Sequence, residues 1–177
     1  YTVSDGNGGT DTATVTITVN GENDAPVAVA DSAATSEDNS VVISVLNNDS
    51  DADTGTTLIL ATADATSANG ATITVNGDGT ITYDPSSSLT LQALAVGETT
   101  TDTFTYMMTD GDGATDTETV TVTVTGVNDD PVAVADAVTT DEDSTVIISV
   151  LGNDSDIDTG DSLTVTSVST TGTNGSV

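Results

Sequence analysis

The stretch Asn47-Asn48-Asp49-Ser50-Asp51-Ala52-Asp53 sets three carboxylates at alternate positions, and Gly152-Asn153-Asp154-Ser155-Asp156-Ile157-Asp158 does so again 105 residues later. In extended backbone, alternate side chains point to one side, so each stretch gathers oxygen donors on one flank. Other acids collect in turn-rich stretches at 36–38, 82–85, 109–113 and 126–130. The chemistry open to such a set is coordination of a hard cation. Calcium takes about six to eight oxygen ligands from carboxylates, amide side chains, backbone carbonyls and water. Transition metals are disfavoured because the chain has neither His nor Cys. An EF-hand loop is excluded: counted from Asp49, its sixth and twelfth places hold Thr54 and Leu60, where Gly and Glu are needed.

Composition sharpens the same point. The chain carries 29 acids and no Lys, Arg or His, for a formal charge of -29. No carboxylate can find a cationic side chain within its own chain. Repulsion of this size opposes a compact state unless cations screen or bind it, and it excludes nucleic acid as a partner. High charge with few aromatics can also mean disorder, but 35% of the residues are hydrophobic and many alternate with Thr at a definite period. Without Cys there is no disulfide framework. No apolar run approaches the roughly 18 residues of a membrane span. Residue 1 is Tyr rather than an initiator Met, so the chain is expected to be a piece of a longer one. Catalysis would have to rely on paired carboxylates, as in glycosidases, or on a metal-assisted site. Nothing points to an acid of raised pKa in an apolar cleft, so no enzyme activity is expected.

The elements that must position these acids repeat. Sliding the sequence by 105 positions aligns Tyr1 with Tyr106, Asp5 with Asp110, Pro26 with Pro131 and Asp53 with Asp158, and about 40 of the 72 overlapping positions are identical. This divides the chain into the end of one repeat (1–22), one complete repeat (23–127) and the start of a third (128–177). Residues 12–19 and 117–124 alternate Thr with Val or Ile and predict strands, the first with Val15, Ile17 and Val19 on one face. The all-apolar run 41–46 predicts a buried strand. Asn76-Gly77-Asp78-Gly79 between two alternating runs predicts a hairpin, and 102–108 turns Phe104, Tyr106 and Met108 to one face. Residues 86–98 predict an irregular connection, 5–11 a hairpin turn, and Asp78 and Asp112 solvated turn positions. Seven or so short strands per repeat make the fold class all-β: tandem Ig-like or cadherin-like β-sandwich repeats of about 105 residues, one complete and two truncated.

The motifs resemble a family. Asn-Asp-x-Pro-Val-Ala-x-Ala-Asp, then Glu-Asp, then Val-Leu-x-Asn-Asp-Ser-Asp-x-Asp, a Gly-x-Ile-x-Tyr hairpin and the run from Leu91 to Asp129 are similar to bacterial cadherin-like and VCBS-type tandem repeats of large secreted, RTX-type adhesins. The resemblance implies calcium at the junctions between repeats. It would place Glu37, Asp84 and Asp110 of the middle repeat, Asn128 and Asp129 of the linker, and Asp156 and Asp158 of the third repeat around one junction. The preceding junction would use Asp5, Asn23, Asp24, Asp51 and Asp53 and would be incomplete, while Glu142 would serve a junction further on. The linkers depart from the cadherin pattern at Gly21 and Gly126, in their first place, and at Ala25 and Asp130, in their last. The implied function is a calcium-stiffened spacer of an extracellular or cell-surface adhesin, in cell adhesion and biofilm, whose partners are the neighbouring repeats. The alternative is a module that binds polysaccharide, or a like repeat on another cell surface. Such a binder would need exposed rings, and the chain has three Tyr, one Phe and no Trp.

Overall fold

The computed structural model describes residues 1–169; residues 170–177, at the end of the expected third unit, lie outside the described residues. In the first unit, β1 (Thr2–Ser4) and β2 (Thr10–Thr12) form a small exposed antiparallel hairpin. The middle unit holds seven strands: β3 (Asp31–Ser36), β4 (Val41–Ile43), β5 (Ile59–Ala63), β6 (Thr72–Val75), β7 (Ile81–Asp84), β8 (Thr99–Thr109) and β9 (Thr115–Thr125). One 3-10 turn, Val45–Asn47, follows β4, and no α-helix occurs among the described residues. The strands form a four-stranded sheet in the order β3-β9-β8-β5 and a three-stranded sheet in the order β4-β7-β6. The architecture is an all-β sandwich.

The alternation of apolar residues and Thr explains the core. Phe104, Tyr106 and Met108 on β8 and Val120, Val122 and Val124 on β9 share one parity and are buried, with Thr, and once Met107, on the other parity between them. All but Met108 share one core with Ile43, Ile73, Ile81 and Tyr83 of the opposite sheet, where the Tyr83 and Phe104 rings stack at 6.2 Å between centroids. Burial of such a side chain is worth about 1.5–3 kcal/mol. The irregular connection 86–98 contributes Leu91 and Leu94 to the same core. The hairpin of β6 and β7 closes through Asn76 N to Thr80 O at 2.8 Å, and Gly79 takes the positive φ (+83°) that the turn requires.

Two expected elements differ. Ala13 still exchanges backbone bonds with Tyr1, but residues 14–20 are not paired, and Val15, Ile17 and Val19 stand exposed. Alternation marks a face that could be buried, but a strand also needs a neighbour for its backbone groups, and no ladder partner reaches this segment among the described residues. The run 41–46 is a strand only as far as Ile43. It then bends into the 3-10 turn, which buries Val45 and leaves Val42 61% exposed.

Residues 128–169 contain no named strand. They do reproduce the entry of the middle unit: the bridge Val27–Ser50 returns as Val132–Ser155, and Val29 N to Asp49 Oδ1 (2.8 Å) as Val134 N to Asp154 Oδ1 (2.7 Å).

Candidate metal centre

β3 ends at Ser36 and delivers Glu37 into the end of the sandwich where β9 also finishes. The Glu37 amide donates to Thr125 O at 3.0 Å, continuing the β3–β9 ladder by one rung. Its side chain, fully buried, accepts Val127 N on Oε1 at 2.6 Å. The next linker residue to matter is Asp129, whose amide donates to Asp158 Oδ2 at 2.9 Å, and the Asp158 amide in turn donates to Asp156 Oδ1 at 2.9 Å. The result joins three separate stretches of chain: the end of β3, the linker and the third unit. Carboxylate oxygens of Glu37, Asp129 and Asp158 lie within 4.8 Å of one another, and those of Asp156, Asp158 and Asp161 form a second such group sharing Asp158.

The electrostatics of this cluster call for a cation. Glu37 Oε2, Asp129 Oδ2 and Asp158 Oδ1 are buried and accept no hydrogen bond from any group, although buried polar atoms are paired as a rule. Like charges at this separation repel by about 3–4 kcal/mol per pair at an effective dielectric constant near 20. Desolvation, then the charges of Asp129, Asp158 and Asp38, hold the Glu37 carboxyl above its ordinary range against the pull of the Val127 amide. Asp129 is raised by desolvation and then by Asp38, Asp158, Asp156 and Asp130. The donor set is all oxygen, several of its members are carboxylates with a free oxygen, and an open cleft of about 270 Å³ lined by Asn128, Asp129, Asp156 and Asp161 lies beside it. A hard divalent cation of the calcium type fits these residues.

Of the residues expected at this junction, Glu37, Asp129, Asp156 and Asp158 are brought together. Asn128 lies in the linker, with its Nδ2 on Asp129 O at 2.6 Å. Asp110 is not there: it sits at the β8–β9 turn, where Oδ1 accepts the amides of Asp112, Gly113 and Ala114 and Oδ2 accepts Asn23 Nδ2 at 2.6 Å. These bonds, Asn23 foremost, hold its carboxyl below the usual range. The reason is length. β9 runs for 11 residues between that turn and the linker, roughly 35 Å at about 3.3 Å per residue, so Asp110 and Glu37 occupy opposite ends of the sandwich. Asp84 belongs to neither group; its Oδ1 accepts Ser86 N in a local turn.

The first linker shows the same backbone pattern with fewer acids. Asp24 N donates to Asp53 Oδ2 at 2.7 Å and Asp53 N to Asp51 Oδ1 at 2.7 Å, while Asp51 Oδ2 is buried without a partner. Asn23 joins them through Asp110. Asp5, expected here, instead closes its own hairpin turn by accepting Asn7 N and Gly9 N. Asp116, which accepts Ala28 N at 2.8 Å, also pins this linker. Two acids at the second junction were not among the expected ligands: Asp38, in the acidic stretch 36–38 directly after Glu37, and Asp161, which has no counterpart at the equivalent Thr56, so the repeat itself hid it.

A separate acidic group lies inside the middle unit. Asp31 Oδ2 is buried without a partner, and desolvation, then Asp49 and Glu118, push its carboxyl up against the opposing bonds from Tyr106 and Asn48. A raised folded value means that this group contributes stability below its ordinary pKa, which is lost as pH rises through the folded value. Asp31→Asn is therefore expected to melt a few degrees higher than the parent at pH 7. The difference should vanish toward pH 4, as followed by thermal unfolding over that range; an equal offset at both ends would refute it.

The rings expected of a sugar platform are occupied elsewhere: Tyr83, Phe104 and Tyr106 are core residues and Tyr1 is the exposed one. No helix among the described residues is long and apolar enough to cross a membrane. In comparison with known families, the bacterial cadherin-like domain matches residues 23–126 and the bacterial Ig domain matches residues 128–177. No curated protein matches the chain.

Proposed function

Because the chain belongs to the bacterial cadherin-like domain family, whose members are typically non-catalytic, adhesion-type modules of surface proteins, we propose that it is a calcium-stiffened spacer in a secreted or cell-surface bacterial adhesin. The observation that carries this reading is the meeting of three unpartnered buried carboxylate oxygens, from Glu37, Asp129 and Asp158, in a chain with no basic side chain. A bound calcium ion would supply the positive charge that these oxygens lack. Glu37 acts from the body of the middle unit, Asp129 from the linker, and Asp156 and Asp158 from the following unit. Neutralising them together ties the two units to one another, and their mutual repulsion works against the tie when they are bare. The order so gained is linked to ion binding.

Small-angle scattering of the chain in excess chelator and in millimolar calcium tests this. Calcium is expected to lengthen and stiffen the particle, and the pair Asp156→Asn and Asp158→Asn to erase most of the response. Asp78→Asn is expected to leave it intact, because Asp78 is tied to Thr80 in its own turn. A scattering profile indifferent to calcium would sink the spacer reading. Saturable capture of a polysaccharide by the same chain would favour the binding-module alternative.

A further inference from the structure

We propose that the connection 86–98 of the middle unit is a seat for the loop that follows a linker, and that it sets the angle between successive units. The inference rests on the junction reading for its role, but its evidence is separate from the carboxylates. Thr159 N, in the third unit, donates to Ala93 O of the connection at 3.1 Å, a direct bond between the two units. Gly126 lies under the same segment: its amide donates to Glu98 O at 2.8 Å and its carbonyl accepts Gly97 N at 3.0 Å. A Cβ on Gly126 would stand 2.2 Å from Ala95 O and 2.7 Å from Leu94 O. Gly126 has no positive φ, so this position excludes side chains by space alone. Gln92 completes the seat, donating through Nε2 to Glu37 O at 2.7 Å and tying the connection to the residue that supplies the buried carboxylate.

The internal repeat provides the comparison. Asp53 and Asp158 hold equivalent places, with the same bonds to Asp24 N or Asp129 N, the same Asx turn from Asp51 or Asp156, and the same turn from Thr56 N or Asp161 N to the carbonyl at 3.4 Å. The loop is therefore formed whether or not it is seated. Yet Asp158 is the one buried residue among the described residues 131–169, whereas Asp53, inside the complete unit, is only partly buried. Beside Asp158 the middle unit supplies the Glu37 carboxylate and, in Ala93 O, the acceptor for the next amide. At Gly21, the counterpart of Gly126, an added Cβ would meet nothing within 4 Å. A preformed loop that docks on a preformed seat loses little conformational freedom. The partner that fits is a loop presenting a bare backbone N–H just after an Asp-x-Asp pair.

The chain has no Cys, so Val42→Cys and Val132→Cys, both at exposed positions, place one spin label on each unit. The distance distribution is measured in chelator and in saturating calcium. Thr159→Pro removes the donor while keeping every carboxylate and the middle unit's sequence, and Gly126→Ala crowds the seat. Each is expected to broaden the distribution about twofold at saturating calcium, as when a docked state loses its advantage over undocked ones. The matched changes Thr54→Pro and Gly21→Ala should leave it as in the parent. Distributions for Thr159→Pro and Gly126→Ala as narrow as the parent's would overturn the proposal. If calcium alters no distribution, the ion reading fails, while the difference between seat variants and their matched controls still decides the seat.

Discussion

Calcium at about a hundred times its dissociation constant is expected to raise the melting temperature of the chain by roughly 10–20 °C, and Glu37→Gln to remove most of that rise. The size follows from linkage: a ligand at that excess stabilises the state that binds it by about 2.7 kcal/mol, and each kcal/mol moves a domain of this size by roughly 4–8 °C. Glu37 is decisive because it is the only member of the cluster anchored in the sandwich itself, fully buried, with Oε1 committed to Val127 N and Oε2 left for the ion. The glutamine can still accept from Val127 but brings no charge. In chelator the order reverses. The parent then holds a carboxyl raised by desolvation and by Asp129 and Asp158, so its stability falls as pH climbs above the ordinary carboxylate range, and the variant melts higher at pH 7. Calorimetry of both proteins in both buffers checks the crossing. Equal calcium increments in parent and variant would remove Glu37 from the site.

Asp102→Ala is expected to lower stability by on the order of 4 kcal/mol, in calcium and in chelator alike. Asp102 is almost wholly buried on β8, on the same parity as Phe104. Its Oδ2 accepts the hydroxyls of Ser67 and Tyr83, and its Oδ1 accepts Asn69 N at 2.8 Å and Thr103 N at 2.9 Å. Burial first, and then the adjacent carboxylate, push the Tyr83 hydroxyl up, so it stays a donor. Truncation strands the Ser67 and Tyr83 hydroxyls inside the core, where each unpaired group costs about 1–3 kcal/mol. Denaturant midpoints measure the loss, and the calcium increment itself should survive. A loss below about 1 kcal/mol would mean that water or a rearranged Ser67 replaces the carboxylate.

The two predictions mark what could be read in advance. Side-chain parity was legible: Phe104, Tyr106 and Met108 face inward as their spacing requires, and Asn76 to Thr80 closes the expected hairpin. Asp102 shares that parity, yet in a Thr-rich strand of so acidic a chain it reads as one more solvated acid. Parity also says nothing of whether a partner strand exists, which is why residues 14–20 alternate without pairing. The meeting of Glu37 with Asp129 and Asp158 was implied by the family resemblance, which sets acids of one unit, the linker and the next unit around one junction. Asp110 did not join them, since order along the chain does not tell which end of an 11-residue strand faces which linker, and Asp5 is held in its own hairpin turn. The seat at 86–98 has no period to announce it, and its contacts run through backbone carbonyls that sequence does not display.

The pairing of β3 with β9 is parallel over six registered positions, Asp31 with Val120 through Ser36 with Thr125. These are the strands by which the chain enters and leaves the complete unit. Tension applied at the two ends therefore drags them past one another along their length, loading the rungs of the ladder together instead of unzipping them singly. A tether under flow would be held at its strongest orientation by the same strand order that closes its sandwich.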